Sequence, residues 1–194
     1  MRNIQEDGQN NKPSINPDSM NIALAGFMGT GKTTSGKVLA KRLLWDFIDI
    51  DALIEAKEKK SIPQIFQLYG ELYFRNCETA IISEVAEKKR TIISLGGGAL
   101  QRKENVDALK KNTVIICLQA EPSIILLRTM HTKDRPLLLK SKDALGIIRE
   151  LMQERKESYQ QADFFLDTSS LSPEETAGAL QDILRHANIY PTTS

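Results

Sequence analysis

The sequence contains few of the residues that mark disulfide-rich, nucleic-acid-binding or membrane proteins. It has two cysteines in 194 residues, too few for a disulfide framework, so we expect Cys77 and Cys117 to be reduced thiols. The 26 Lys and Arg are balanced by 25 Asp and Glu, which argues against a nucleic-acid partner that binds through bulk positive charge. No apolar run approaches the roughly 18 residues of a membrane span. We therefore expect a globular protein with no nucleic-acid or membrane partner.

Residues 1–19 are polar and lack the apolar core of a signal peptide. We interpret them as a disordered N-terminal extension. We place one domain at residues 20–190, a length that suits a single core. Because the sequence shows no export signal, we expect a cytoplasmic protein, and we expect it to be a monomer.

Short apolar runs then alternate with longer helical patterns. The runs that predict strands are 22–25, 47–50, 91–95, 113–118 and 164–166. The helical patterns cover 32–44, 52–58, 65–88, 122–129 and a last segment that ends near His186. At the start of this last helix, Ser172 and Glu175 form a capping box, and Pro173 is the first helical residue. Strands that alternate with helices predict an α/β fold in which three layers, αβα, surround a five-stranded parallel sheet.

Residues 131–143 interrupt this alternation. The stretch is rich in charge and contains Pro136, so we interpret it as a mobile lid, although an ordinary surface connection would have the same composition.

Residues 26–33, Gly-Phe-Met-Gly-Thr-Gly-Lys-Thr, match the pattern G-x-x-x-x-G-K-[ST] in full. Its glycines let backbone N–H groups turn toward phosphate oxygens, and the next helix directs its N-terminus at the same anion. Lys32 is expected to reach the β- and γ-phosphates, and the Thr33 hydroxyl is expected to bind Mg²⁺. The chain is therefore predicted to bind a nucleoside triphosphate through Gly29, Thr30, Gly31, Lys32, Thr33 and Thr34.

Further polar patterns follow along the chain. They are Asp49-Ile-Asp51, Phe74-Arg75-x-x-Glu78, Gly96-Gly97-Gly98, Arg135-Pro136-Leu137 and Glu154-Arg155-x-x-x-Tyr159. The two aspartates end a predicted strand, where open α/β sheets bind ligands, and in an extended segment both point to one side. Arg75 suits a carboxylate ligand, and Glu78 is close enough along one helix to hold that arginine in place.

Taken together, in this order and from Ile22 to about Leu184, these patterns resemble the shikimate kinase family. The resemblance implies a P-loop fold like that of the nucleoside monophosphate kinases. It also implies transfer of the γ-phosphoryl group of ATP to the 3-hydroxyl of shikimate, in the pathway to chorismate and the aromatic amino acids. Residues 49–78 would form the acceptor-binding region, and residues 131–143 the lid.

The resemblance also implies roles for individual residues. Asp51 would bind the reacting hydroxyl, and either accept its proton or orient it. Arg75 and Arg155 would hold the shikimate carboxylate, while Arg135 in the lid and Lys32 would neutralise the migrating charge. Gly96, Gly97 and Gly98 would lie against shikimate. Asp49 would bind Mg²⁺ through water, with Ser94 nearby. Arg128 and Pro173 would lie on either side of adenine.

Several alternatives stay open at this point. Another P-loop kinase, acting on gluconate or a nucleoside monophosphate, would share the fold and the phosphate loop. A non-catalytic nucleotide-binding regulator would share them too, although it has no need to keep Lys32, Asp51 and Arg135. Individual residues could also have purely structural roles. Asp51 could be a helix N-cap, the Arg75–Glu78 pair could be a solvated ion pair, and the three glycines could form a tight turn. Arg155 could be an exposed arginine, and Pro173 could simply start a helix.

Overall fold

The computed structural model describes residues 20–130 and 143–189. Within those ranges one parallel sheet has the strand order β2-β3-β1-β4-β5. Its strands are β1 (Asn21–Gly26), β2 (Asp46–Asp49), β3 (Thr91–Ser94), β4 (Thr113–Gln119) and β5 (Phe164–Asp167). The predicted five-stranded parallel sheet is confirmed. The predicted N-terminal extension, Arg135 and all but the last residue of the predicted lid lie outside the described residues.

The described helices connect these strands. They are α1 (Lys32–Leu43), α2 (Ile50–Glu58), α3 (Ile62–Ala86), α4 (Lys103–Leu109), α5 (Pro122–Thr129), α6 (Ala144–Tyr159) and α7 (Pro173–His186), with a short 3-10 turn at Ala99–Gln101. The predicted capping box of α7 is confirmed, since Ser172 and Glu175 bond each other's backbone N–H groups at 3.2 and 2.8 Å. The sequence did not indicate α4, a short helix between β3 and β4.

Helices cover both faces of the sheet because the central strands are apolar on both sides. Along β1, Ala23 and Ala25 face the cluster built with α2, α3 and α4. Ile22 and Leu24 face the opposite cluster, which α1 and α7 complete. The three layers are therefore as predicted. No helix in the described ranges combines the length and apolar character that crossing a membrane requires.

The start of α2 differs from the prediction. The helix begins at Ile50 instead of Ala52, and Asp49 is its N-cap, with Oδ1 accepting a hydrogen bond from the Ala52 N–H at 3.3 Å. The expectation that Asp49 and Asp51 share one extended segment is therefore wrong, and so is the alternative that Asp51 caps the helix. Asp51 lies in the first turn of α2, at the carboxyl end of β2.

A buried asparagine fastens the start of the sheet to the end of α3. The Asn21 amide donates to the Ala86 carbonyl at 3.2 Å and the Lys88 carbonyl at 2.6 Å, and its oxygen accepts from the Thr91 N–H at 3.1 Å. The side chain is fully buried, so these backbone groups depend on it for hydrogen bonding.

We expect Asn21→Ala to lower the free energy of unfolding by about 2–4 kcal/mol, because it leaves three backbone groups unsatisfied in the interior. Urea unfolding at an unchanged slope measures this loss. Asn112→Ala is the control, since the half-buried Asn112 side chain accepts a 3.3 Å hydrogen bond from the adjacent Thr113 hydroxyl, and we expect a change of at most about 0.5 kcal/mol. Equal midpoints for the two variants would contradict this role of Asn21.

Candidate active site

The phosphate loop joins β1 to α1 in the geometry that its glycines allow. Gly29 and Gly31 have φ angles of 75° and 95°, in the left-handed region that favours glycine. Lys32 lies at the start of α1, and its ammonium donates to the Gly26 and Phe27 carbonyls at 2.8 and 2.9 Å. The loop, the helix N-terminus and one lysine therefore converge, as an anion site requires.

Three oxygen-bearing side chains meet beside this loop, each from a different element. The Thr33 hydroxyl of α1 donates to Asp49 Oδ2 at 2.7 Å and lies 3.3 Å from the Ser94 hydroxyl at the end of β3. Hydroxyl and carboxylate oxygens are the donors that Mg²⁺ takes, usually one or two from the protein with the rest from phosphates and water. Within the described ranges no cluster of three or more His, Cys, Asp or Glu residues could hold a metal. The chemistry of Thr33, Asp49 and Ser94 fits the few protein oxygens that Mg²⁺ takes.

A cleft of about 500 Å³ runs from the phosphate loop to the start of α7. Its wall includes the predicted phosphate residues Gly29, Thr30, Gly31, Lys32, Thr33 and Thr34, together with Asp49, Asp51 and Ser94. Arg128 and Pro173 lie at the other end of the same cleft. The structure thus brings together the residues that the sequence assigned to phosphate and to adenine.

Arg128 and Thr168 fasten the far end of this cleft to the phosphate loop. The Arg128 guanidinium donates to the Thr168 carbonyl at 2.6 Å and to the Leu171 carbonyl at 3.3 Å. The buried Thr168 hydroxyl lies 3.0 Å from the Thr30 carbonyl. Sequence reasoning missed Thr168, although a threonine directly after the last strand was a signal that could have been used.

The three glycines after β3 leave room for charged side chains. A Cβ at Gly96 would lie 2.6 Å from Glu78 Oε1 and 2.9 Å from Asp51 Oδ1. A Cβ at Gly97 would lie 2.9 Å from Arg155 Nη1, and one at Gly98 would lie 2.7 Å from Arg75 Nη2. Side chains from α2, α3 and α6 therefore occupy the space that larger residues would need. The alternative of a mere tight turn does not explain this convergence.

Arg75 is held by two carboxylates of its own helix. It donates to Glu78 Oε2 at 2.9 Å and to Glu71 Oε1 at 3.2 Å. Glu78 is fully buried whereas the Glu71 side chain is 65% exposed, so the Arg75–Glu78 pair is not a solvated ion pair. Burial raises the pKa of Glu78, the Asp51 carboxylate raises it further, and the Arg75 charge opposes both.

Arg155 turns toward the glycines instead of the solvent. Its guanidinium lies 5.3 Å from the centre of the Phe27 ring, a cation–π contact with the phosphate loop. Tyr159, one turn later on α6, donates to the Gly97 carbonyl at 2.7 Å, and burial raises the pKa of its phenol to about 12. This contact fixes the face of α6 that carries Arg155. Sequence reasoning noted Tyr159 in a motif but gave it no role.

Comparison with known proteins agrees with this geometry. Residues 28–185 match the family model described as shikimate kinase. A shikimate kinase of Thermodesulfovibrio yellowstonii is 46% identical over 157 residues, which cover 81% of this chain and 90% of the relative. One of Pelotomaculum thermopropionicum is 41% identical over 168 residues, 87% of this chain and 97% of the relative. The solved shikimate kinase from Acinetobacter baumannii in complex with shikimate is similar at a TM-score of 0.82 and 32% identity, covering 89% of this chain and 96% of that one.

We expect Arg128→Ala to weaken nucleotide binding at least about tenfold, or about 1.4 kcal/mol, because the loop that carries Thr168 and Leu171 loses its anchor. Calorimetric titration with ATP measures the change. Arg185→Ala is the matched control, since that guanidinium bonds Asp182 on the exposed side of α7, and its affinity should equal that of the parent. Unchanged affinity in Arg128→Ala would remove Arg128 from the nucleotide site.

Proposed function

The chain belongs to the shikimate kinase family, and we propose that the reaction is divided between two parts of the site. The phosphate loop binds ATP, and the charged side chains around Gly96, Gly97 and Gly98, which we call the acceptor cluster, bind the acceptor. The reaction is the transfer of the γ-phosphoryl group of ATP to the 3-hydroxyl of shikimate, as part of the route to chorismate and the aromatic amino acids. The single observation that supports this division is that Asp51, Arg75 and Arg155 converge on Gly96, Gly97 and Gly98.

The two arginines form the part of the cluster that suits a carboxylate. Arg75 reaches the cluster from α3 and Arg155 from α6, so their guanidinium groups approach neighbouring glycines from different helices. A guanidinium matches a carboxylate through parallel N–H donors, and two of them can fix the direction of a flat ring acid. We assign the acceptor carboxylate to this pair.

Asp51 is the residue that we assign to the reacting hydroxyl. It lines the same cleft as Lys32 and Thr33 while its carboxylate faces Gly96, so it lies between the phosphate loop and the acceptor cluster. From this position the carboxylate can accept a hydrogen bond from the hydroxyl, and can orient it or take its proton as the new O–P bond forms.

The phosphate loop supplies the charge that the migrating group needs. In the transition state, negative charge spreads over the equatorial oxygens of the phosphoryl group, and fixed positive groups stabilise it. The N–H groups of Gly29 to Thr34 and the Lys32 ammonium hold the phosphates of ATP at the N-terminus of α1. Thr33, and Asp49 through water, would hold Mg²⁺, whose charge would offset that of the phosphates.

Some predicted features rest on sequence and family alone. Arg135 belongs to the predicted lid and lies outside the described residues, so its contact with the transferred group stays a prediction. We also propose that the protein is a cytoplasmic monomer with one domain at residues 20–190, as the sequence predicts.

An assay of ADP release across acceptors tests the function. We expect turnover with shikimate and none above background with gluconate or nucleoside monophosphates. The arginine pair beside bare glycines suits a flat ring acid, whereas gluconate is an open chain and a nucleoside monophosphate carries a base and a phosphate instead of a carboxylate. Turnover with a competitor alone would contradict the assignment. The non-catalytic regulator of the sequence analysis would bind ATP and turn over none of these acceptors.

We expect Asp51→Asn to lower turnover by about a hundredfold or more, because the amide is a far weaker base and presents one acceptor oxygen instead of two. ATP affinity should stay close to that of the parent, since Lys32 and Thr33 are untouched. Steady-state kinetics with shikimate and titration with ATP separate these effects. Asp46→Asn, at the exposed start of β2, serves as the control and should keep full turnover. Turnover that survives Asp51→Asn would rule out the proposed role.

A further inference from the structure

The buried carboxyl group of Glu78 uses one oxygen and leaves the other facing Asp51. Oε2 accepts the 2.9 Å hydrogen bond from Arg75. Oε1 is buried and has no hydrogen-bond partner among the described residues. Both Glu78 Oε1 and Asp51 Oδ1 lie within 3 Å of the point where a Cβ of Gly96 would be, at 2.6 and 2.9 Å. The two carboxyl oxygens are therefore at most 5.5 Å apart, the sum of these distances, and both are buried.

The charged groups around Glu78 act on its carboxyl group in opposite directions. Arg75 on its own helix attracts it, although Glu71 shares that guanidinium. Asp51 faces it from α2, and Arg102 attracts it from the segment before α4 while donating to Asn76 at 2.9 Å. From α6, Arg155 approaches the neighbouring Gly97. Burial raises the pKa of Glu78, the Asp51 charge raises it further, and the two arginines oppose both, with a net rise above the ordinary value.

An acceptor carboxylate changes this balance. When it binds Arg75, it competes with Glu78 for the guanidinium and brings a third negative charge to the cluster. We propose that Glu78 takes up one proton from solvent when the acceptor's carboxylate binds Arg75, so that acceptor binding is coupled to proton uptake. This inference rests on the proposed function, since it needs the acceptor carboxylate at Arg75.

The proton makes Glu78 a positioning residue for Asp51. A protonated Oε1 can donate to Asp51 Oδ1, while Oε2 continues to accept from Arg75. This donation would orient the Asp51 carboxyl group, which we assign to the reacting hydroxyl. The sign of the pH dependence follows, because the complex holds one more proton than the free protein. Shikimate affinity should fall as pH rises above the pKa of Glu78 in the free protein, by at most about tenfold per pH unit for one proton.

Calorimetric titration with shikimate, at one near-neutral pH in two buffers of unlike ionisation enthalpy, tests this coupling. For the parent we expect binding enthalpies that differ between the buffers in the direction of proton uptake. Glu78→Gln keeps a carbonyl for Arg75 but cannot titrate, so the difference between the buffers should vanish. Glu71→Gln is the matched control, because it removes the exposed partner of Arg75, and the difference should persist.

The outcomes separate this inference from the function on which it rests. Shikimate that binds the parent with the same enthalpy in both buffers would overturn the proton coupling and leave the proposed function intact. Absence of shikimate binding by the parent would overturn both. A buffer dependence that survives in Glu78→Gln would place the proton elsewhere and overturn the assignment.

A second variant keeps the test decisive if Glu78→Gln does not fold. Asp51→Asn removes the negative charge that faces Oε1, so the pH range of proton uptake should shift to lower values. An unshifted pH dependence of shikimate affinity in this variant would also overturn the pairing of Glu78 with Asp51.

Discussion

The arrangement of the acceptor cluster depends on the space that three consecutive glycines leave free at the carboxyl end of β3. Two carboxyl groups, one from α2 and one from α3, approach Gly96, while a guanidinium from α6 approaches Gly97 and one from α3 approaches Gly98. These side chains carry opposite charges, so they can lie close together without a large net repulsion. Any side chain at Gly96 or Gly98 would displace a carboxylate or a guanidinium that other contacts already hold. The glycines therefore leave the space in which these charged side chains meet, where we propose that the acceptor binds.

The parallel sheet brings this cluster to the phosphate loop. Parallel strands end at one edge, and β1, β2 and β3 deliver Lys32, Asp49 and Ser94 to the same cleft. Asp51 follows β2 by two residues and thus belongs both to that cleft and to the acceptor cluster. Most of the chemistry of phosphoryl transfer is positioning and charge stabilisation, which such a fixed edge supplies.

Motifs whose residues lie close together along the chain were predictable. The phosphate loop, the α7 capping box and the parallel sheet each depend on contacts between near neighbours or on regular apolar runs, and all three are confirmed. Asp51 lies in the cleft, but in the first turn of a helix and not in the extended segment that the sequence predicted. Thr168 and the role of Tyr159 were missed because their partners are far away: Arg128 lies 40 residues from Thr168, and Gly97 lies 62 residues from Tyr159.

The sequence alone thus determined the nucleotide loop, the layered α/β architecture and the kinds of side chain available for an acid acceptor, because local spacing and hydrophobic periodicity encode these features. Tertiary structure alone decided which charged groups meet. Whether Glu78 faces solvent or Asp51 depends on how α3 packs against α2 and the glycine loop, and the resulting burial sets the behaviour of its carboxyl group. Distances between residues far apart in the chain follow from the packing of whole helices, which no short pattern specifies.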